Sequence, residues 1–133
     1  MISCKNDDPR LPTILVVQDS KTELISNSII ANSFKQVYVS IDQNSHTLAW
    51  IQQNQPDLII LNLEWSKLRE MDLVTALRLD WLTRNIPILA IGDCIYLFNL
   101  DCDACLIEPY STSDLEKAIC SLISSPVCLS YAS

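Results

Sequence analysis

Residues 56–65 read PDLIILNLEW. Four apolar residues, Leu58 to Leu61, run unbroken between Asp57 and Asn62. A short run of that kind suits a strand covered on both faces, as in a parallel sheet flanked by helices. In open sheets of that sort the chemistry gathers at the carboxyl ends of the strands. A functional carboxylate is the natural expectation at the place Asn62 occupies, and the chain supplies an amide.

Working outward, Thr13–Val17 (TILVV) is a β-rich run, and Ser20 with Glu23 forms an S-x-x-E capping box for a helix continuing toward Asn32. Residues 35–41 (KQVYVSI) alternate as a strand, and Asn44 or Ser45 then caps a helix that the NQP stretch at Asn54–Pro56 stops. Past the opening strand, Leu73, Ala76, Leu77 and Trp81 recur at helical spacing over Met71–Leu82. Ile86–Ile91 (IPILAI) and Ala104–Ile107 read as further strands, and Ser111 is the N-cap of a helix with Leu115, Ala118, Ile119 and Leu122 on one face. Strand and helix alternate through the chain, so the fold class is α/β. The expectation is a doubly wound, five-stranded parallel sheet with helices on both faces and right-handed crossovers. Residues 12–124 form the domain, with residues 1–11 a flexible segment and 125–133 a tail.

Bulk properties narrow the function. Hydrophobic residues make up 49% and charged residues 19%, the balance of a folded globular chain. A formal net charge of −7 disfavours nucleic acid and anionic membrane surfaces as partners. No apolar run approaches the roughly 20 residues of a bilayer span. The polar opening MISCKNDDPR does not read as a signal or transit segment, and the cytoplasm is the expected compartment. On that basis Cys4, Cys94, Cys102, Cys105, Cys120 and Cys128 are expected as reduced thiols. Gly92 is the single glycine, where usage of about 7% predicts about nine. Nearly every tight turn must be made by Asn, Asp, Ser or Pro.

Four segments, PTILVVQDS, PDLIILNLEW, LRLDWLTRNIPILAIGD and DACLIEPYSTSDLEKAI, occur in order between Pro12 and Ile123. Together they resemble the response-regulator receiver family, the phosphorylatable module of bacterial two-component signalling. The resemblance implies a flavodoxin-like sheet and a carboxylate nucleophile after the third parallel strand. It also implies two acids that help hold Mg²⁺, a Ser/Thr and a Lys on the phosphoryl oxygens, and an aromatic switch residue. Such a site answers the needs of phosphoryl transfer, an in-line nucleophile and neutralised oxygens.

Laid on this chain, the nucleophile position is Asn62 and the acid pair is Gln18 and Asp19. The Ser/Thr position is Gly92, the Lys position Glu108, and the aromatic switch position Cys105. An amide cannot serve as the phosphorylated carboxylate, and Mg²⁺ prefers charged oxygen ligands of which Asp19 alone remains. With the lysine gone, a carboxylate at position 62 would face Asp19 and Glu108 without a cation, a crowding that Asn62 avoids. Asp19 and Asn62 with a backbone carbonyl are the one combination left for a weak cation site. The expectation is a degenerate pseudo-receiver that is no enzyme and takes no metal or cofactor.

Gly92 and Glu108 stand sixteen residues apart, about six fewer than the family usually has, a little under two helical turns. A shortened fourth helix is therefore expected within Asp93–Leu100 (DCIYLFNL). Ile95, Tyr96, Leu97 and Phe98, with Tyr110, form the candidate partner surface, or in part fill the space of the missing turns. Trp65 stands close after Asn62, as a cover over the rebuilt pocket or as packing at the sheet edge, and Trp81 replaces a frequent proline, so the third helix is expected to run on. His46 is expected exposed. Cys102 and Cys105 make a C-x-x-C, a weak motif outside a redox context, among acids that raise thiol pKa. At 133 residues the chain is expected to act alone. Its expected role is phosphorylation-independent binding of a signalling protein (a histidine kinase, a response regulator or a transcription factor), with a homodimer open. The alternative is a small-ligand or redox sensor using the former phosphate pocket or the Cys94/Cys102/Cys105 group.

Overall fold

The computed structural model describes residues 3–5, 8–18, 24–25, 31–40, 44–62, 68–92 and 101–123. The strands are β1 (Ser3–Lys5), β2 (Thr13–Gln18), β3 (Lys35–Ser40), β4 (Leu58–Asn62), β5 (Ile88–Gly92) and β6 (Ala104–Ile107). The helices are α1 (Asn44–Asn54), α2 (Leu68–Leu79) and α3 (Thr112–Leu122). One sheet runs in the order β1-β3-β2-β4-β5-β6, in which β2 to β6 are parallel. The doubly wound parallel sheet expected from the alternation is therefore present.

Its sixth strand was not expected. β1 pairs antiparallel with β3, Cys4 opposite Val37, so part of the segment read as a loose end is ordered. The gain is physical, because β1 occupies the hydrogen-bonding edge that β3 would otherwise present to solvent.

Alternation along the strands divides the core. Leu15, Val17, Ile59, Leu61, Ile88 and Ala90 face Ile51 of α1 and Leu73, Val74 and Leu77 of α2. Ile14, Val16, Leu58, Ile60, Leu89 and Ile91 face Leu115 and Ile119 of α3. Both faces are covered, which is why the strands read as continuous apolar runs. Two aspartates one residue ahead of a strand fasten the amino ends. Asp57 accepts from the Thr13 amide through Oδ2 (2.8 Å) and donates its own amide to the Thr13 carbonyl (2.8 Å). Asp103 repeats the arrangement on Ile88, accepting at 2.8 Å and donating at 2.9 Å.

Ser111 caps α3 as expected, its hydroxyl accepting from the Asp114 amide (3.0 Å) while Asp114 Oδ2 accepts from the Ser111 amide (3.1 Å). The end of α2 departs from expectation. The helix stops at Leu79, because Asp80 Oδ1 accepts from the Leu82 amide (2.9 Å) and the Asp80 carbonyl accepts from Thr83 and Arg84 in a turn. Trp81 is consequently 73% exposed instead of lying on the buried face. Turn building after α1 is also unexpected. Gln55 takes a left-handed φ of 49°, whereas Gly92 sits in a strand and no glycine has positive φ among the described residues. The shortened fourth helix and the Ser20–Glu23 box lie outside the described residues. No described helix is long and apolar enough to cross a membrane.

Candidate functional site

The strands β2, β4, β5 and β6 exhaust their apolar residues at the same level, and the predicted site positions stand at or just past their ends. Gln18 ends β2 beside Asn62, which ends β4, and Asn62 is beside Ile91 of β5. Gly92 ends β5 beside Ile107, and the next residue, Glu108, donates its amide to the Gly92 carbonyl at 2.8 Å. Four of the sequence-predicted positions are thus gathered on one carboxyl edge. Asp19 directly follows Gln18 but lies outside the described residues, as do Trp65, Ile95, Tyr96, Leu97 and Phe98. Of the candidate partner surface only Tyr110 is described, and it is half-buried against the α3-side core.

The edge is polar without being charged at its centre. Asn62 is half-buried. Gln18 is only 5% exposed, and its Oε1 accepts no hydrogen bond among the described residues. An orphaned buried amide oxygen costs about 1–3 kcal/mol, which packing alone would not select. Glu108 is exposed, yet its charge reaches Tyr110, whose hydroxyl is pushed above the usual tyrosine value first by burial and then by Glu108. Among the described residues no cluster of three or more His, Cys, Asp or Glu side chains is arranged to hold a metal ion. His46 is exposed on α1.

Superposition on solved structures decides the fold family. A protein assigned as a response regulator in Chloroflexus aurantiacus aligns with a TM-score of 0.72 at 20% identity, over 85% of this chain and 98% of that one. A signal receiver domain of a histidine kinase from Syntrophus aciditrophicus aligns at 0.71 and 18% identity, over 84% and 89% of the two chains. The chain has the receiver fold. A chemotaxis response regulator of Vibrio cholerae aligns in the same way, at 0.69 and 17% identity, over 85% and 99%. No protein-family model matches the chain, and no curated protein matches it by sequence. The fold is thus shared with these structures at 17–20% sequence identity.

Two residues back from the carboxyl edge, Cys105 lies within β6 beside Ala90 and packs with Cys102 against the core face shared by α1 and α2. Their Sγ atoms are 3.3 Å apart. Burial first, then the hydrogen bond and charge of Cys105, and least of all Asp103, push the Cys102 thiol up to about 12. The expected direction is right, but acidic neighbours are the smallest cause. The expectation of reduced thiols fails at Cys120, which is disulfide-bonded to a partner outside the described residues. That expectation came from compartment and chain size, neither of which says which sulfurs the fold brings together.

Sequence reading also missed the corner that holds this pair. Arg78 donates to the carbonyls of Asp101 (2.8 Å), Arg84 (2.7 Å) and Ile86 (3.1 Å) and to Asp103 Oδ2 (2.7 Å). One guanidinium thereby ties the end of α2 to the approaches of β5 and β6, a use of its planar fork that an ammonium could not match. At the opposite end of the strands from Asn62, an open groove of about 460 Å³ is lined by residues including Pro56, Asp57, Trp81, Leu82 and Pro87. Leu79, Trp81 and Leu82 leave large apolar surface exposed around it. The expected extension of the helix hid the exposure of Trp81 and Leu82 from the sequence.

Proposed function

We propose that the chain is a receiver-fold signalling module that has lost phosphotransfer and works by binding another protein. The observation carrying this reading is the residue set on the carboxyl edge, Gln18, Asn62, Gly92 and Glu108, brought side by side by strand register. None of them supplies a carboxylate nucleophile on β4, a hydroxyl on β5 or a cation after β6. Glu108 sets a negative charge where phosphoryl oxygens would need a positive one. Phosphoryl transfer depends on charge neutralised at the transferring group, and the four described edge residues supply none of the parts for it.

A protein partner is the reading's other half. The net charge of −7 argues against nucleic acid, and exposed apolar surface at Leu79, Trp81 and Leu82 is of the kind that protein contacts use. The similarity to a receiver domain of a histidine kinase and to response regulators directs the search to signalling proteins of those classes and to transcription factors. The cytoplasm is the compartment in which they would meet. Incubation with acetyl phosphate or a histidine kinase and Mg²⁺, followed by intact mass analysis, tests the first half. The expected product is unmodified chain, and an acyl phosphate on any aspartate overturns the proposal. Capture of a signalling protein by the tagged chain, equal with and without acetyl phosphate, is the expected result for the second half. Capture that requires the phosphodonor contradicts it.

A further inference from the structure

We propose that Cys102 and Cys105 are a covalent modification site, closing to an intramolecular disulfide by exchange with a small disulfide of the glutathione class. The two Sγ atoms already lie 3.3 Å apart, while a disulfide bond is about 2.05 Å. Closure therefore asks for a sulfur displacement of little more than about 1 Å, which side-chain rotation can supply.

The backbone on either side is held in place without the bond. Asp101, before Cys102, has its carbonyl fixed by Arg78 Nε at 2.8 Å. Asp103, after it, is tied to Ile88 through both its amide (2.9 Å) and its carboxylate (2.8 Å), and to Arg78 at 2.7 Å. Cys105 is set in β6 by its pairing with β5. The thiols are therefore neighbours because four separate backbone and carboxylate contacts hold their anchors, and little chain entropy remains to be lost on closure. Both side chains are only half-buried, so a small disulfide can reach them.

The exchange balances in two steps. One cysteine thiolate attacks a sulfur of the small disulfide, forming a mixed disulfide and expelling one small thiolate. The second cysteine, as thiolate, attacks the protein sulfur of that mixed disulfide, forming the Cys102–Cys105 bond and expelling the second small thiolate. Two protein thiols give up two electrons and two protons, and the small disulfide becomes two thiols. The raised Cys102 pKa bears on both rate and poise. It slows exchange at neutral pH, and it withholds from the reduced pair the thiolate stabilisation that makes some dithiols strong oxidants.

Cys105 is two strands from Asn62, level with Leu61 through Ala90, but the exchange uses none of Gln18, Asn62, Gly92 or Glu108, so the proposal stands or falls independently of the loss of phosphotransfer. The test equilibrates the full chain in a series of reduced and oxidised glutathione mixtures, quenches with an alkylating agent and maps the peptides by mass. The expected result is joint loss of two alkylatable thiols, at Cys102 and Cys105, in one transition with a peptide lighter by two hydrogens. Cys102→Ser and Cys105→Ser each abolish that species, while Cys4→Ser leaves it intact. Because the wild-type map needs no variant, misfolding of a substituted chain does not blunt the test. Recovery of both cysteines separately alkylated at the oxidising end, or a stable single glutathione adduct as the end product, overturns the proposal.

Discussion

Leu61 and Asn62 are neighbours on one strand and answer to different demands. Leu61 is fully buried among Val17, Leu73 and Leu77, between the sheet and its helices. Asn62, one residue later, is half-buried on the carboxyl edge beside Gln18 and Ile91. The middle of the sheet is under packing constraint, where any loss of volume is felt, and so it keeps the receiver fold at 17–20% identity to its structural relatives. The edge is under less packing constraint, and on the proposed reading its residues have changed type while the fold was kept.

Substitutions along that boundary can break the comparison. Leu61→Ala is expected to cost about 2–5 kcal/mol in urea unfolding, against less than about 1 kcal/mol for Asn62→Ala at a half-exposed site. Equal costs would mean that the edge is structural after all. At the Arg78 corner, Asp103→Ala removes a bond to the Ile88 amide and the partner of Arg78, and an expected loss of about 1–3 kcal/mol should appear as a lower denaturation midpoint. Gln18→Met is expected to leave stability at or above that of wild type, by up to about 1–3 kcal/mol, because it removes a buried acceptor that has no partner among the described residues. A large loss there would show that Gln18 holds the edge together.

Alkaline titration gives a smaller effect confined to β6. Cys102 is raised in the folded chain from an ordinary thiol value of 9.0 to about 12. The unfolded chain therefore releases its proton first, and the contribution of this thiol is fully present below pH 9 and is lost progressively as pH rises toward 12. Thermal melts of reduced chain should lose less stability across that window in Cys102→Ser than in wild type. Parallel profiles would contradict the burial assigned to this thiol.

What could be read in advance divides along the same boundary. Apolar runs such as TILVV and LIIL announce buried strands because burial on both faces leaves no room for polar residues, and the Ser111 cap follows from the needs of unpaired helix amides. Asn62 was legible as the residue that ends such a run, and the resemblance to the receiver family assigned Gln18, Gly92 and Glu108 to the same edge. Three features were not. Ser3–Lys5 is too short and polar to carry a strand signal, and it forms one because an existing edge offers it partners. Trp81 fits a helical period, but Asp80 captures the turn's amides and ends the helix first. The anchoring of Cys102 and Cys105 draws on Ile88 and on Arg78, a residue more than twenty positions earlier whose bonds to Asp101 and Asp103 no local pattern displays.

The central claim is that this carboxyl edge no longer receives a phosphoryl group. Amide correlation spectra of the labelled chain, recorded with Mg²⁺ alone and then with beryllofluoride as an acyl-phosphate mimic, test it most directly. The account predicts that the amides of Gln18, Asn62, Gly92 and Glu108 shift no more than in a matched salt control. Saturable shifts concentrated on those residues would contradict it.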